Sequence, residues 1–157
     1  MTTGSDIALA LRAAYLALHR RSEARFAPHG VTADQFVLLA TLAREGHALT
    51  QRELARRMSS DPSTVRAMLV LLEERGLIER AAHPTDARAR TVALTAKGMR
   101  LYRRVRMAGE PVRQQLLAAL RRTEAAKLVK LLSRITAALS AKSTEVGRST
   151  STQLHED

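Results

Sequence analysis

The sequence contains no cysteine and no tryptophan, and only two phenylalanines, two tyrosines and four prolines among 157 residues. Without cysteine there are no disulfide frameworks, thiolate nucleophiles, cysteine-ligated zinc sites or thiol redox sensors. The scarcity of aromatics argues against the stacking platforms on which single-stranded nucleic acids are held. No apolar run approaches the roughly 18–20 residues that cross a bilayer. The opening Met1-Thr2-Thr3-Gly4-Ser5-Asp6 lacks the basic start and apolar stretch of a signal peptide. A cytoplasmic protein with no membrane partner is expected. The five histidines (His19, His29, His47, His83, His155) are scattered without ligand spacing, so no metal site is expected. There is no phosphate loop and no nucleophile elbow, so neither an enzyme nor a cofactor is expected.

What the chain has is positive charge and enough apolar content for a core. Lys+Arg number 26 against 15 Asp+Glu, a net charge of +11, and 45% of residues are hydrophobic. That size fits one domain. The basic excess points to a polyanion, and the missing aromatics make duplex DNA the better candidate. Only Lys97, Lys127, Lys130 and Lys142 are lysines, so the excess is mostly arginine; genomic base composition alone also produces such a bias. Residues 44–106 hold 14 Lys+Arg against 7 Asp+Glu, the larger share of the surplus.

The order of elements can be read from caps and periods. Ile7, Leu11, Tyr15 and Leu18 share one helical face, and this first helix ends at Pro28-His29-Gly30. Thr32 with Gln35, and Thr50 with Glu53, are two capping boxes, each with a hydrophobic staple (Val31 and Phe36; Leu49 and Leu54). They predict helices over about 32–45 and 50–57. Ser60 or Asp61 caps the next helix, with Pro62 at its first position, Val65, Met68, Leu69 and Leu72 inward, and Gly76 as the stop. A short helix, the turn Met58-Ser59-Ser60-Asp61 and a longer helix make a helix-turn-helix. Strand-like segments Leu77–Arg80 and Arg88–Leu94 flank the turn His83-Pro84-Thr85-Asp86-Ala87, which predicts a wing. Thr95 caps a helix to about Ala108, which Gly109 and Pro111 interrupt as a kink rather than a stop, and Thr123 starts a last helix.

The expected fold is mainly α with a two-stranded β wing: a winged helix-turn-helix over about 32–98, flanked by helices at about 6–28 and 96–142. One domain then covers 1–142, and the Ser/Thr-rich stretch 143–157 reads as a disordered tail. A lone winged unit needs no flanking helices with apolar stripes. Dimerisation through them is the simplest explanation.

The segment Val31–Gly98 resembles the multiple antibiotic resistance regulator (MarR) family of winged-helix transcription factors. The likeness rests on Val31-Thr32-Ala33-Asp34-Gln35-Phe36, Glu53-Leu54-Ala55, Asp61-Pro62-Ser63-Thr64-Val65, Leu72-Glu73-Glu74-Arg75-Gly76-Leu77-Ile78-Glu79-Arg80, Pro84-Thr85-Asp86-Ala87-Arg88 and Leu94-Thr95-Ala96-Lys97-Gly98, in that order and spacing. It implies a homodimer on double-stranded pseudo-palindromic operator DNA, usually a repressor and often released by a small-molecule effector. The chain departs from the family pattern at Ala67, where Arg is usual, at Val70 and Leu71, where a charged pair is common, and at His83, where Asp is common.

The DNA-binding candidates follow. Ser60 and Pro62 lie at the start of the recognition helix, and Ser63, Thr64 and Arg66 in its first turns, the end that meets bases. Arg66 can take a guanine edge in a bidentate pair, or a phosphate. In the family pattern Asp-x-Arg, here Asp86-Ala87-Arg88, the Arg enters the minor groove and the Asp holds it through a charge-assisted bond. Arg90 is placed for phosphate. Tyr15, His19, Phe36 and Met107 are candidates to line an effector pocket for an aromatic acid or similar lipophile. Two functions remain open at this level: a sequence-specific dimeric regulator, or a nonspecific architectural DNA-binding protein on the same fold.

Overall fold

Threonine hydroxyls start four of the helices. In the computed structural model, which describes residues 1–146 and side chains through residue 140, Thr3 caps α1 (Gly4–Phe26), Thr32 caps α2 (Ala33–Glu45), Thr50 caps α3 (Gln51–Arg57) and Thr95 caps α5 (Ala96–Ala108). Each Oγ1 accepts the N–H three residues on, which would otherwise be orphaned in the first turn. At Thr32 the box is complete, since Gln35 Oε1 accepts the Thr32 N–H at 3.2 Å. At Thr50 only half of the expected box forms. The Glu53 carboxylate turns instead to Arg56 and Arg57, because a charge-assisted pair outcompetes a neutral amide donor. Asp61, rather than Ser60, caps α4 (Pro62–Glu74), accepting the Ser63 N–H at 2.7 Å.

The breakers act where expected. α1 passes into a 3₁₀ turn (Ala27–His29) and stops at Gly30, whose φ of 66° lies in the left-handed region. α4 closes in a Schellman motif: Gly76, at φ 69°, donates to the Glu73 carbonyl and Leu77 to that of Leu72.

The wing is the antiparallel pair β2 (Ile78–Ala82) and β3 (Arg90–Leu94), with Ile78 opposite Leu94 and Ala82 opposite Arg90. β3 begins two residues later than the sequence reading placed it, leaving Arg88 in the loop. A third strand was not expected. β1 (Leu49–Thr50) pairs with β3, so the sheet has the order β1-β3-β2. Two residues are too few to show a period of two.

The core of the first compact unit, Met1–Val112, is aliphatic. Leu38, Leu39 and Leu42 of α2 pack with Leu54 of α3, Val65, Leu69 and Leu72 of α4, Ile78 and Val92 of the sheet, and Leu101 and Val105 of α5. Each such side chain contributes about 1.5–3 kcal/mol when withdrawn from water. Together they fix α3 and α4 on the α2–α5 scaffold and leave the outer side of α4 open. On α1, by contrast, Ile7, Leu9, Tyr15 and Leu18 stay exposed.

The second unit is Arg113–Asp157. The interruption expected at Gly109 and Pro111 is there: Gly109 caps α5 and α6 (Glu110–Ala118) follows it directly. α7 (Arg122–Val146) starts one residue before the expected Thr123, with the Arg121 N–H taken by the Glu124 carboxylate at 2.9 Å. It runs past the expected end near 142. Of the expected tail, residues 147–157 lie outside the described residues. Leu128, Leu131, Leu132 and Leu139 of α7 are exposed. Among the described residues no helix is long and apolar enough to cross a membrane.

Candidate nucleic-acid interface

The turn between α3 and α4 is tight because its polar groups are satisfied locally. Ser59 takes a left-handed φ of 51°, the Ser60 N–H reaches back to the Ala55 carbonyl at 3.0 Å, and Ser60 Oγ donates to the Met58 carbonyl at 3.2 Å. A non-glycine residue in that region is uncommon. It is tolerated here because the backbone bonds on either side fix the turn. Asp61 then receives both the N–H and the hydroxyl of Ser63, and these bonds, the hydroxyl's first, hold its carboxyl below its ordinary value. Ser63 is thereby left to accept rather than donate outward. Ser63, Thr64 and Arg66 are all exposed.

The wing loop is folded by side-chain acceptors. His83 Nδ1 accepts the Thr85 and Asp86 N–H groups at 3.2 and 3.1 Å, and the His83 N–H donates to the Ala89 carbonyl at 3.1 Å. His83 thus does what a short acceptor such as Asp would do at this position. Asp86 Oδ1 accepts the backbone N–H of Arg88 at 3.0 Å. The bond seen from Asp86 runs to the Arg88 backbone, not to the guanidinium of the expected pair. A spacing of two suits an Asx turn to the backbone, so Asp86 shapes the loop and the Arg88 side chain is left unheld. At the base of the wing Arg80 pairs with Glu73 of α4, through Nε at 2.8 Å and through Nη2, and keeps the Glu73 carboxyl below its ordinary value. That pair fixes the wing to the recognition helix.

Between them lies a cleft of about 680 Å³, lined by Thr50, Gln51 and Arg52 of the α3 start, Pro62 and Arg66 of α4, and Arg80, Asp86, Arg88, Ala89 and Arg90 of the wing. The guanidinium groups of Arg52, Arg66 and Arg88 make no hydrogen bond or ion pair among the described residues. Long cations on α3, α4 and the wing converge on this one cleft, where Arg90 feels the Glu73 carboxylate, and the group is arranged to receive an anion. Among the described residues no cluster of acidic, His or Cys side chains has the make-up of a metal site.

The same residues carry a family signature. Residues 29–89 match the MarR family. An HTH-type transcriptional regulator of Mycobacterium tuberculosis is 34% identical over 120 residues, covering 76% of this chain and 80% of the relative. The chain belongs to the MarR family. The HTH-type transcriptional repressor MdtR of Bacillus subtilis is 35% identical over 94 residues, 60% of each chain. A mutant of MarR from E. coli, solved in complex with operator DNA, superposes with a TM-score of 0.73 at 27% identity, covering 82% of this chain and 92% of that one. The protein is a MarR-family DNA-binding transcriptional regulator, not an enzyme.

Of the sequence candidates in this MarR-family chain, Pro62, Arg66, Asp86, Arg88 and Arg90 line the cleft, while Ser60, Ser63 and Thr64 lie outside its lining. Arg52 and Gln51 were missed. A signal for Arg52 was available: a cation in the first turn of a helix opposes the macrodipole, and such a local misfit marks functional positions. The effector candidates do not converge. Tyr15 and His19 meet on α1 with ring centroids 5.6 Å apart, His19 facing Glu23 at 3.8 Å. Phe36 instead packs between Phe26 and Tyr102, at 4.6 and 5.9 Å. Met107 is exposed at the end of α5.

Proposed function

We propose that this protein is a dimeric, sequence-specific repressor of the cytoplasm that binds pseudo-palindromic duplex operator DNA and is released by a small lipophilic or aromatic ligand. The observation that carries the reading is the cleft between α4 and the wing, with Arg52, Arg66, Arg88 and Arg90 on its walls, the first three without an ion pair among the described residues. α4 lies in the major groove with its N-terminal end foremost, and Arg66 takes a guanine edge there. Arg88 enters the minor groove, whose narrow form concentrates negative potential. Arg52 and Arg90 hold phosphates. The operator complex of the E. coli relative and the repressor role in the name of MdtR favour this assignment.

Dimerisation is supported by the apolar side chains left uncovered on α1 (Ile7, Leu9, Tyr15, Leu18) and, independently, on α7 (Leu128, Leu131, Leu132, Leu139). A single chain gains nothing from exposing them, and an isologous partner would bury both sets. The Tyr15–His19 pair is the candidate contact for the effector.

Competition between a selected operator and random DNA tests the central claim. Preference for the operator by about 10³-fold or more is the expected result. Equal affinity would make the protein a nonspecific architectural binder instead. Light scattering of the free protein should give twice the chain mass. Phenolic acids should raise the melting temperature and dissociate the operator complex; no response across chemical classes would remove the effector from the proposal.

A further inference from the structure

The outward side of α4 is apolar where a DNA-facing helix is expected to be polar. Val65, Met68, Leu69 and Leu72 turn into the core, and the opposite stripe is Ser63, Ala67 and Val70, with Leu71 beside it. These positions are one helical ridge, i, i+4 and i+7. Val70 is 40% exposed and Leu71 52% exposed, and neither is needed to fill the core. The neighbouring helix α5, of the same length, shows the contrary pattern: its exposed positions include Lys97, Arg100, Arg103 and Arg104. On α5 the exposed apolar side chain Met107 stands at the helix end, whereas on α4 Val70 and Leu71 lie within the helix. Nor is the stripe remote from the charged site, because Arg66 stands between it and the arginine-lined cleft.

A helix that lies in the major groove with an apolar ridge meets one apolar group there, the C5-methyl of thymine. We infer that Val70 reads a thymine methyl group, so that each operator half-site carries a thymine opposite this ridge and a single guanine opposite Arg66. Resting on the proposed operator-binding function, this names the chemistry of the DNA that the same surface selects. From Ser63 to Val70 the ridge covers about 10 Å, or about three base-pair steps. Ser63 spends its proton on Asp61. Arg66 is then the one long donor in the first two turns of α4, which limits guanine readout and leaves apolar contact to discriminate the neighbouring pairs.

The test replaces thymine by deoxyuridine, which removes the methyl and keeps the pairing and the O4 and O2 acceptors. Operators are first selected from a random duplex pool with the full chain, then synthesised with thymine or with deoxyuridine, and both are titrated with wild type, Val70→Ser and Arg66→Ala. Wild type should lose about fourfold in affinity per methyl removed from contact, hence about fifteenfold for one methyl in each half-site. Val70→Ser should bind the two DNAs with nearly equal affinity. Arg66→Ala should bind both more weakly and keep the thymine preference. Equal binding of the two DNAs by wild type would overturn the inference. So would a preference that survives in Val70→Ser, since the loss would then come from altered duplex shape. Because Val70 is half exposed, the serine variant is expected to fold, and a thermal melt checks it. A pool from which no sequence is enriched would sink the sequence-specific reading itself, a different result from enrichment without methyl dependence.

Discussion

The two ends of α4 are built in opposite ways. At the N-terminal end Arg66, Arg88 and Arg52 make no hydrogen bond or ion pair among the described residues and face an open cleft. At the C-terminal end every cation is engaged. Arg75 Nη1 donates to the Gly30 carbonyl at 2.6 Å, Lys97 Nζ donates to the Arg75 carbonyl at 2.7 Å, and Thr95 Oγ1 donates to the Gly76 carbonyl at 2.7 Å. Positive groups at a helix C-terminus satisfy orphan carbonyls and suit the macrodipole. One end is thus held by the chain and the other is kept for a partner. A recognition helix needs both, because base contacts discriminate only if the helix that makes them is held in one orientation.

The strongest way to break this contrast is at the latch. Gly98 of α5 lies against the backbone of Leu77, and a Cβ there would fall inside the van der Waals surface of the Leu77 carbonyl. Gly98→Ala gains about 1 kcal/mol of helix propensity. It loses more to overpacking against backbone that is itself bonded to the Thr95 N–H at 3.2 Å. A net loss of about 2–3 kcal/mol, or about 5–10 °C in melting temperature, is expected. A melt at or above wild type would show that the latch yields.

Next in size is the open end. Arg88→Ala should lower operator affinity ten- to a hundredfold, about 1.5–3 kcal/mol, with an unchanged melting temperature, since the exposed guanidinium makes no hydrogen bond or ion pair among the described residues. Fluorescence anisotropy on operator and on random DNA, beside a melt, measures both. Loss of stability without loss of affinity would reverse the assignment of the two ends. Arg66→Ala should cost operator binding more than random-DNA binding; equal costs would reduce Arg66 to a phosphate contact.

How much of this was readable beforehand depends on where the determining interactions lie. Thr32, Asp61-Pro62 and Gly76 act within a few residues of themselves, so the caps and stops of α2 and α4 could be read from spacing. β1 could not, because Leu49 and Thr50 become a strand only by pairing with Val92 and Thr91, far along the chain. The cleft was half legible. Arg66 and Arg88 stand in recognisable surroundings, but Arg52 joins them only through the packing of α3 against the wing. Spacing alone does not tell the backbone of Arg88, which Asp86 binds here, from its side chain. The Glu53 cap failed for a similar reason: two arginines downstream compete for the same carboxylate.

Within the latch, Lys97→Met keeps the helical side chain and removes one charged donor from the Arg75 carbonyl. About 0.5–1 kcal/mol, or about 2–3 °C, should be lost, and the folded protein should bind operator within about twofold of wild type. A larger fall in affinity than in stability would mean that the C-terminal end sets the angle of α4 with little to spare.

The smallest effect is confined to acid. α3 repeats the contrast in seven residues: Arg52 at its start is unpartnered, while Arg56 and Arg57 at its end bind Glu53, and Arg57 also binds Glu45 of α2. The hydrogen bonds from Arg56 and then Arg57 lower the Glu53 carboxyl from 4.5 to about 2. A carboxyl depressed in the folded state binds protons more readily when unfolded, so its stabilisation is complete above pH 4.5 and is lost as pH falls toward 2. Glu53→Gln should therefore flatten the decline of stability across that window and leave operator binding at neutral pH unchanged. Glu45, lowered by Arg57, remains and keeps part of the slope. Since the pair is partly exposed, added salt should shrink the difference between wild type and variant. Urea melts at pH 3 and pH 7, at low and high salt, decide the matter. An identical pH slope in the two proteins would show that the paired arginines of α3 are as loosely engaged as Arg52.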